Sequence, residues 1–257
     1  MPGSTGSRIL AAAALLLLVA CPLLLAADGG VIVRAPQPPT YIVVGFVGGF
    51  VRHDIAHHSP VEVAQRLRQN APKQTYIEVF ENRHRKAALK TILRLLDTNQ
   101  DGLLSDQEKS GAHIILYGHS WGASAAVVLA RELNRIGIPV MLTVQVDSVA
   151  KPWQNDQVIS ENVAAAVNFY QPHGIIHGRT EIKAADDSKT RILGNYRVDY
   201  RQTPVHCEGY PWFDRLFTPG HMQSECDPHI WSQVENLLRE RIGPEPASLA
   251  SNPAPQQ

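Results

Sequence analysis

The chain is short of cysteine, of net charge and of long apolar runs, and each shortage excludes something. Three cysteines in 257 residues are too few for a disulfide scaffold, and the odd number leaves at least one thiol to be explained separately. Lys plus Arg and Asp plus Glu both count 24, so the formal net charge is zero. That argues against a polyanion-binding protein, whose affinity rests on clustered Lys and Arg, and no nucleic-acid partner is expected. Only one long apolar run is present, at the N-terminus, which excludes a multi-span membrane protein. A composition that is 44% hydrophobic and 19% charged is that of a folded globular chain rather than a disordered one. The length suits a single catalytic-size domain rather than two.

Residues 9–27 are almost unbroken apolar and follow a segment whose only charged side chain is Arg8, the layout of an export signal. Leu18-Val19-Ala20-Cys21 resembles the bacterial lipobox, which would lipidate Cys21 and attach the protein to a membrane through its N-terminus. Against it, Pro22, Leu23, Leu24 and Leu25 continue the apolar run, and Ala26 and Ala27 offer small residues for ordinary cleavage. An uncleaved anchor is the third reading, since about 19 apolar residues just span a bilayer. All three place the rest outside the cytoplasm: periplasmic, secreted or membrane-anchored. An oxidising compartment then permits Cys207 and Cys226 to pair, closing a loop around His221.

Pro36, Pro38 and Pro39 make residues 28–39 a stiff linker, and the tail 243–257, with four prolines, lacks the apolar surface to order itself. Between them, 40–242 reads as one domain. Tyr41 to Gly45 is a buried β-branched strand; Ser59-Pro60-Val61-Glu62 predicts a helix capped by Ser59 and running to about Asn70. Strand Thr75 to Phe80, helix Asn82 to Leu96, strand Gly111 to Tyr117, helix Ala123 to Arg135 and strand Val140 to Val146 follow. Beyond residue 150 the pattern weakens. A short helix is expected at Glu161 to Phe169, irregular or antiparallel strand between Ile175 and Tyr200, and a last helix from Pro228 to Arg241 capped by Asp227. Strands alternating with helices predict an α/β fold, a mostly parallel sheet with helices on both faces.

Strand Ile114-Ile115-Leu116-Tyr117 runs into Gly118-His119-Ser120-Trp121-Gly122, and a helix follows. This is G-x-S-x-G in the strand-turn-helix setting it requires, where Gly118 and Gly122 leave room for a tight turn that raises the Ser120 hydroxyl above the sheet. On these residues the domain resembles the α/β-hydrolase superfamily, in the lipase, esterase and thioesterase branch with His before the nucleophile. The resemblance implies the order Ser, acid, His. Asp147, at the end of its strand, is the expected acid, with Asp186, Asp187 and Asp199 as rivals. His221, in a loop before the last helix, is the expected base, with His206 and His229 as rivals. It also implies two backbone N–H donors for an oxyanion: Trp121 after the nucleophile, and Val47, or Phe46 one register earlier, in Gly45-Phe46-Val47-Gly48-Gly49. Arg52-His53-Asp54 with His57 and His58 follows this loop and is placed to line the pocket; a solvated loop is favoured there over a metal site.

Asp97-Thr98-Asn99-Gln100-Asp101-Gly102-Leu103-Leu104-Ser105-Asp106-Gln107-Glu108 matches a twelve-residue EF-hand loop. Asp97, Asn99, Asp101, the Leu103 carbonyl, Ser105 and Glu108 are the expected calcium ligands, with an entering helix but no exiting one. As a single loop it is expected to bind weakly, with a dissociation constant on the order of 0.1–1 mM. The competing reading is a metal-free polar turn. A zinc site among His206, Cys207, His221, Cys226 and His229 lacks ligand spacing. The resulting expectation is an exported serine hydrolase acting on a small-molecule or lipid ester or thioester, with calcium structural and no cofactor for catalysis. The alternative is a non-catalytic calcium-binding envelope protein on the same scaffold.

Overall fold

The computed structural model describes residues 39–210 and 219–243, which belong to one compact unit of the chain. The apolar N-terminal segment with Cys21, expected to direct export, the linker up to residue 38 and the tail from residue 244 lie outside the described residues. Among the described residues, no helix is long and apolar enough to cross a membrane.

Six parallel strands make the central sheet: β1 (Tyr41–Val47), β2 (Thr75–Glu81), β3 (Ile114–His119), β4 (Val140–Val146), β6 (Val163–Tyr170) and β8 (Arg191–Arg197), in the order β2-β1-β3-β4-β6-β8. A separate two-residue pair joins β5 (Val158–Ile159) to β7 (Lys183–Ala184). Side chains alternate between the two faces, as the strand period of two requires. Ile42, Val44 and Phe46 pack with α2 (Arg85–Leu96) and α4 (Trp121–Asn134). Val43 and Val47 pack with α1 (Ser59–Asn70) and α6 (Pro228–Ile242) on the other face. The fold is therefore α/β, with a parallel sheet covered on both faces, as the sequence pattern predicts.

Four local expectations are corrected. Residues 163–170 form a strand rather than a helix, buried between β4 and β8. Alanine favours helices in isolation, but Ala165 and Ala166 here supply small side chains where two layers press on the sheet, and burial overrides propensity. The edge strand β8 runs parallel, not antiparallel. His58, not Ser59, is the N-cap of α1, and its side chain bonds elsewhere. The loop 97–108 does have an exiting helix, α3 (Asp106–Ser110), closed by a capping box between Ser105 and Glu108.

Because the strands are parallel, the residues following each one gather along the same carboxyl edge of the sheet. β1 pairs with β2 on one side and β3 on the other, so chain order reverses beside β1. A ligand crevice in such sheets opens at that reversal, and the loop after β1 there faces the turn after β3.

Candidate active site

Ser120 follows the last residue of β3 with φ 56° and ψ −127°, a conformation that β-carbon sterics make rare outside glycine. The surroundings hold it there. Its N–H donates to Val146 O at 3.0 Å, and its carbonyl accepts from Val149 and from Ser124 in the first turn of α4. A β-carbon on Gly118 would meet the carbonyl carbon of Gly122 at 2.6 Å, and one on Gly122 would overlap the carbonyl oxygen of Phe46. Both glycines are thus required by close backbone approach, as expected from the pentapeptide.

Asp147 follows β4 with φ 44° and is fully buried. Its Oδ1 accepts from Gly178 N at 2.6 Å and Gln171 N at 3.3 Å, and its Oδ2 from Gln171 Nε2 at 3.0 Å. A side chain at Gly178 would collide with this carboxylate. His221 sits on α5 (Pro219–Cys226), so its placement in an irregular stretch is corrected to a helix. Its Nδ1 lies 2.7 Å from Asp147 Oδ2 and its Nε2 lies 2.8 Å from Ser120 Oγ. Hydroxyl, imidazole and carboxylate therefore form one continuous hydrogen-bonded chain. Burial depresses the His221 pKa; the Asp147 hydrogen bond opposes this, and the charge of His119 adds to it. A neutral imidazole in this position can take a proton from Ser120.

The rivals are elsewhere. Asp186 bonds Ser188 within its own turn, Asp187 is exposed, and Asp199 pairs with His173 and Arg197. His206 and His229 are both exposed. In the loop after β1, Arg52 pairs with Asp54 in solvent, and His53 and His57 are exposed.

Val47, the expected second N–H donor, is turned away from Ser120 by the ladder. Ile42 donates its N–H to His113 O, on the β3 side, whereas Tyr41 donates to Gln74 O, on the β2 side. By the alternation of a parallel ladder, Val47 sends its N–H toward β2, and its carbonyl accepts from Asn82 there. Phe46 is a β3-facing strand residue, in register with Gly118. Gly48 is the residue set against Ser120: a β-carbon on it would come within 2.9 Å of Ser120 Cβ. Trp121 opens α4, where the first N–H groups have no partner within the helix. Its ring is met edge-on by Phe50 at 5.5 Å and lies 5.0 Å from Lys151 Nζ.

A set of residues that the sequence reading did not gather lies behind His221. Glu225 is buried, with Oε1 2.5 Å from His58 Nδ1 and Oε2 2.8 Å from His119 Nδ1. Ser224 Oγ donates to the His221 carbonyl at 2.7 Å and lies 3.1 Å from His119 Nε2. The signal for these was their spacing from His221: positions three and four along a helix share its face. Pro219-Gly220 and the absence of apolar periodicity hid that helix.

Cys207 and Cys226 are joined in a disulfide with a Cα separation of 5.6 Å, which ties the segment before His221 to the end of α5. In the loop 97–108, Gln100 and Gly102 take positive φ. Asp97 accepts from the N–H groups of Asp101 and Gly102, and Asn99 and Asp101 accept from those of Asp101 and Leu103. Glu108 accepts from Thr98 and Ser105 through both oxygens, and these bonds lower its pKa to about 2. Among the described residues, no three acidic, His or Cys side chains are gathered as a ready metal site. Two clefts of about 440 Å³ open at this loop and beside Arg131 and Trp153, and neither is lined by Ser120.

No protein-family model matches the sequence, and no curated protein does. Solved structures with a similar chain course include a cutinase-like protein from Cryptococcus sp., 12% identical over 80% of this chain and 97% of that one, with a TM-score of 0.40. A thioesterase from the prodiginine pathway of Streptomyces coelicolor is 11% identical over 79% of this chain and 90% of that one, TM-score 0.41. A dienelactone hydrolase-like promiscuous phosphotriesterase from metagenomic libraries is 16% identical over 80% and 89%, TM-score 0.40. Similarities this distant carry no activity from those proteins to this one.

Proposed function

We propose that the chain is an exported serine hydrolase that cleaves a carboxylic ester or thioester. The observation that carries this reading is the unbroken hydrogen-bonded chain from Ser120 Oγ through His221 to the buried Asp147 carboxylate, set on a strained turn at the carboxyl edge of a parallel sheet. A serine hydroxyl is a poor nucleophile at neutral pH and needs such a base, oriented by such an acid. His221 Nε2 accepts the Ser120 proton as Oγ attacks the acyl carbon. Asp147 keeps the other ring proton on Nδ1 and balances the imidazolium that forms. The oxyanion is met by the Trp121 N–H at the positive end of α4 and by the Gly48 N–H, in place of Val47. His221 returns its proton to the leaving group, then activates water to release the acid from Ser120. Export is supported by the Cys207–Cys226 disulfide, since such bonds persist in oxidising compartments.

The test is hydrolysis of p-nitrophenyl acetate, p-nitrophenyl decanoate and an acyl thioester by the purified chain. Saturable hydrolysis of at least one substrate, with an initial burst matching the enzyme concentration, supports an acyl-enzyme. No turnover on any of the three would count against the reading, and the chain-length preference assigns the acyl pocket.

We further propose that the loop 97–108 binds calcium weakly, as a structural ion. Support comes from the positive φ of Gln100 and Gly102 and from the bonds that Asp97, Asn99 and Asp101 accept from backbone N–H groups within the loop; an ion would have to draw Glu108 off Thr98 and Ser105, so weak binding is expected. At roughly 10 mM calcium the melting temperature should rise by about 4 °C. Asp97→Ala should abolish the rise and leave the hydrolysis rate unchanged. A rise no larger than that given by magnesium would refute it.

A further inference from the structure

Within the core, one ionisable cluster has no part in the proton relay just described. Glu225 and His119 are respectively 3% and 1% exposed, and a buried carboxylate is tolerated only when it is paired. Its partners are the two imidazoles of His119 and His58. The His119 ring lies against that of His221, centroid to centroid 4.7 Å and tilted by 32°. The contact of its Nδ1 with Glu225 is within ion-pair distance, though not lined up for a linear hydrogen bond. Ser224 couples the two histidines, bonded to His119 Nε2, to the His221 carbonyl and, at 3.4 Å, to Asp147 Oδ2. Trp231 Nε1 pins the Ser224 carbonyl at 3.1 Å.

We propose that His119 is a positioning residue for the acyl-transfer site: held as an imidazolium by Glu225, it lies against His221 and keeps that ring neutral and aimed at Ser120. The inference rests on the serine-hydrolase reading above. The charged and titratable groups around the two rings are Asp147 after β4, Glu225 on α5 and His58 before α1, with Tyr210 edge-on to His58; Asp227, before α6, is held by Tyr200. Of these, the carboxylates favour a protonated His221; burial opposes them first, and a cation at His119 adds to that opposition. Burial alone would discharge His119, yet the Glu225 carboxylate outweighs it, with Asp147 adding to the effect, and the His119 pKa is raised. Glu225 would likewise be raised by burial, but His119 and His58 hold it well below the usual carboxylate range. A cation beside His221 disfavours a second positive charge there, so His221 remains a free base to lower pH.

Nitrogen-15 spectra of the histidines over pH 4–9 read both rings directly in the wild-type protein. His119 should carry protons on both nitrogens at pH 7 while His221 carries one. His119→Gln should raise the His221 titration midpoint, and with it the acid limb of kcat/KM, by about one pH unit. Glu225→Gln should move them in the same direction by less, because it discharges His119 but also removes an anion. A neutral His119 at pH 7 overturns the proposal whether or not the variants fold. So does an unmoved limb with kcat lowered equally at every pH, which is what loss of packing alone would give. If the wild type resists a serine-directed fluorophosphonate probe, the hydrolase reading fails instead, and the spectra still decide the ion pair.

Discussion

Ser120→Ala is expected to lower kcat for ester hydrolysis about 10⁶-fold while KM and the melting temperature stay close to wild type. The side chain has one strong partner, His221 Nε2, and the turn is held by backbone bonds and by the two glycines rather than by the hydroxyl. Alanine carries the same β-carbon, so it adds no strain at φ 56°. What disappears is the nucleophile alone. The residual rate measures what the proposed oxyanion donors, the N–H groups of Trp121 and Gly48, supply to an attacking water. Steady-state kinetics alongside a thermal melt check the expectation, and a loss smaller than about 100-fold would show that Ser120 is not the attacking group.

Asp147→Asn is expected to cost about 10⁴-fold in kcat. The amide is nearly the same shape, but Asp147 Oδ1 faces two N–H donors, from Gly178 and Gln171, so the amide oxygen must remain there. Its nitrogen then faces His221 Nδ1, which can bond to it only as an acceptor. That forces the ring proton onto Nε2, the atom that has to receive the Ser120 proton. The same nitrogen meets Gln171 Nε2 donor to donor, and the buried mismatch costs about 1–3 kcal/mol of stability. Activity and unfolding free energy should therefore fall together in this variant, whereas activity alone falls in Ser120→Ala. Near-wild-type kcat in a destabilised Asp147→Asn would mean that the carboxylate only supports the fold.

The parts of this architecture legible in the sequence are those where local and tertiary demands agree. Gly118 and Gly122 are forced by backbone contact, and the strand and helix flanking Ser120 are strongly apolar, so the elbow could be read from the pentapeptide. Topology points to Asp147, because a residue after a parallel strand lands on the same edge as Ser120. The strand Val163–Tyr170 was lost because Val-Ala-Ala-Ala-Val fits a helix until two layers close on it. The helix carrying His221 was lost because it has almost no amphipathic pattern, and with it went Ser224 and Glu225. Counting glycines points to Val47, whereas the direction of an N–H depends on strand parity, which only the ladder shows. The pairing of His58 and His119 with Glu225 joins residues 167 and 106 positions apart, and no local pattern encodes such a contact.

The most direct test of the account is covalent. Purified protein is treated at neutral pH with a fluorophosphonate, and the modified peptide is identified by mass spectrometry. Stoichiometric addition at Ser120, abolished in Ser120→Ala and strongly slowed when His221 is replaced by glutamine, is the predicted result. Absence of labelling in the folded wild-type chain, or labelling that persists undiminished in Ser120→Ala, would contradict it.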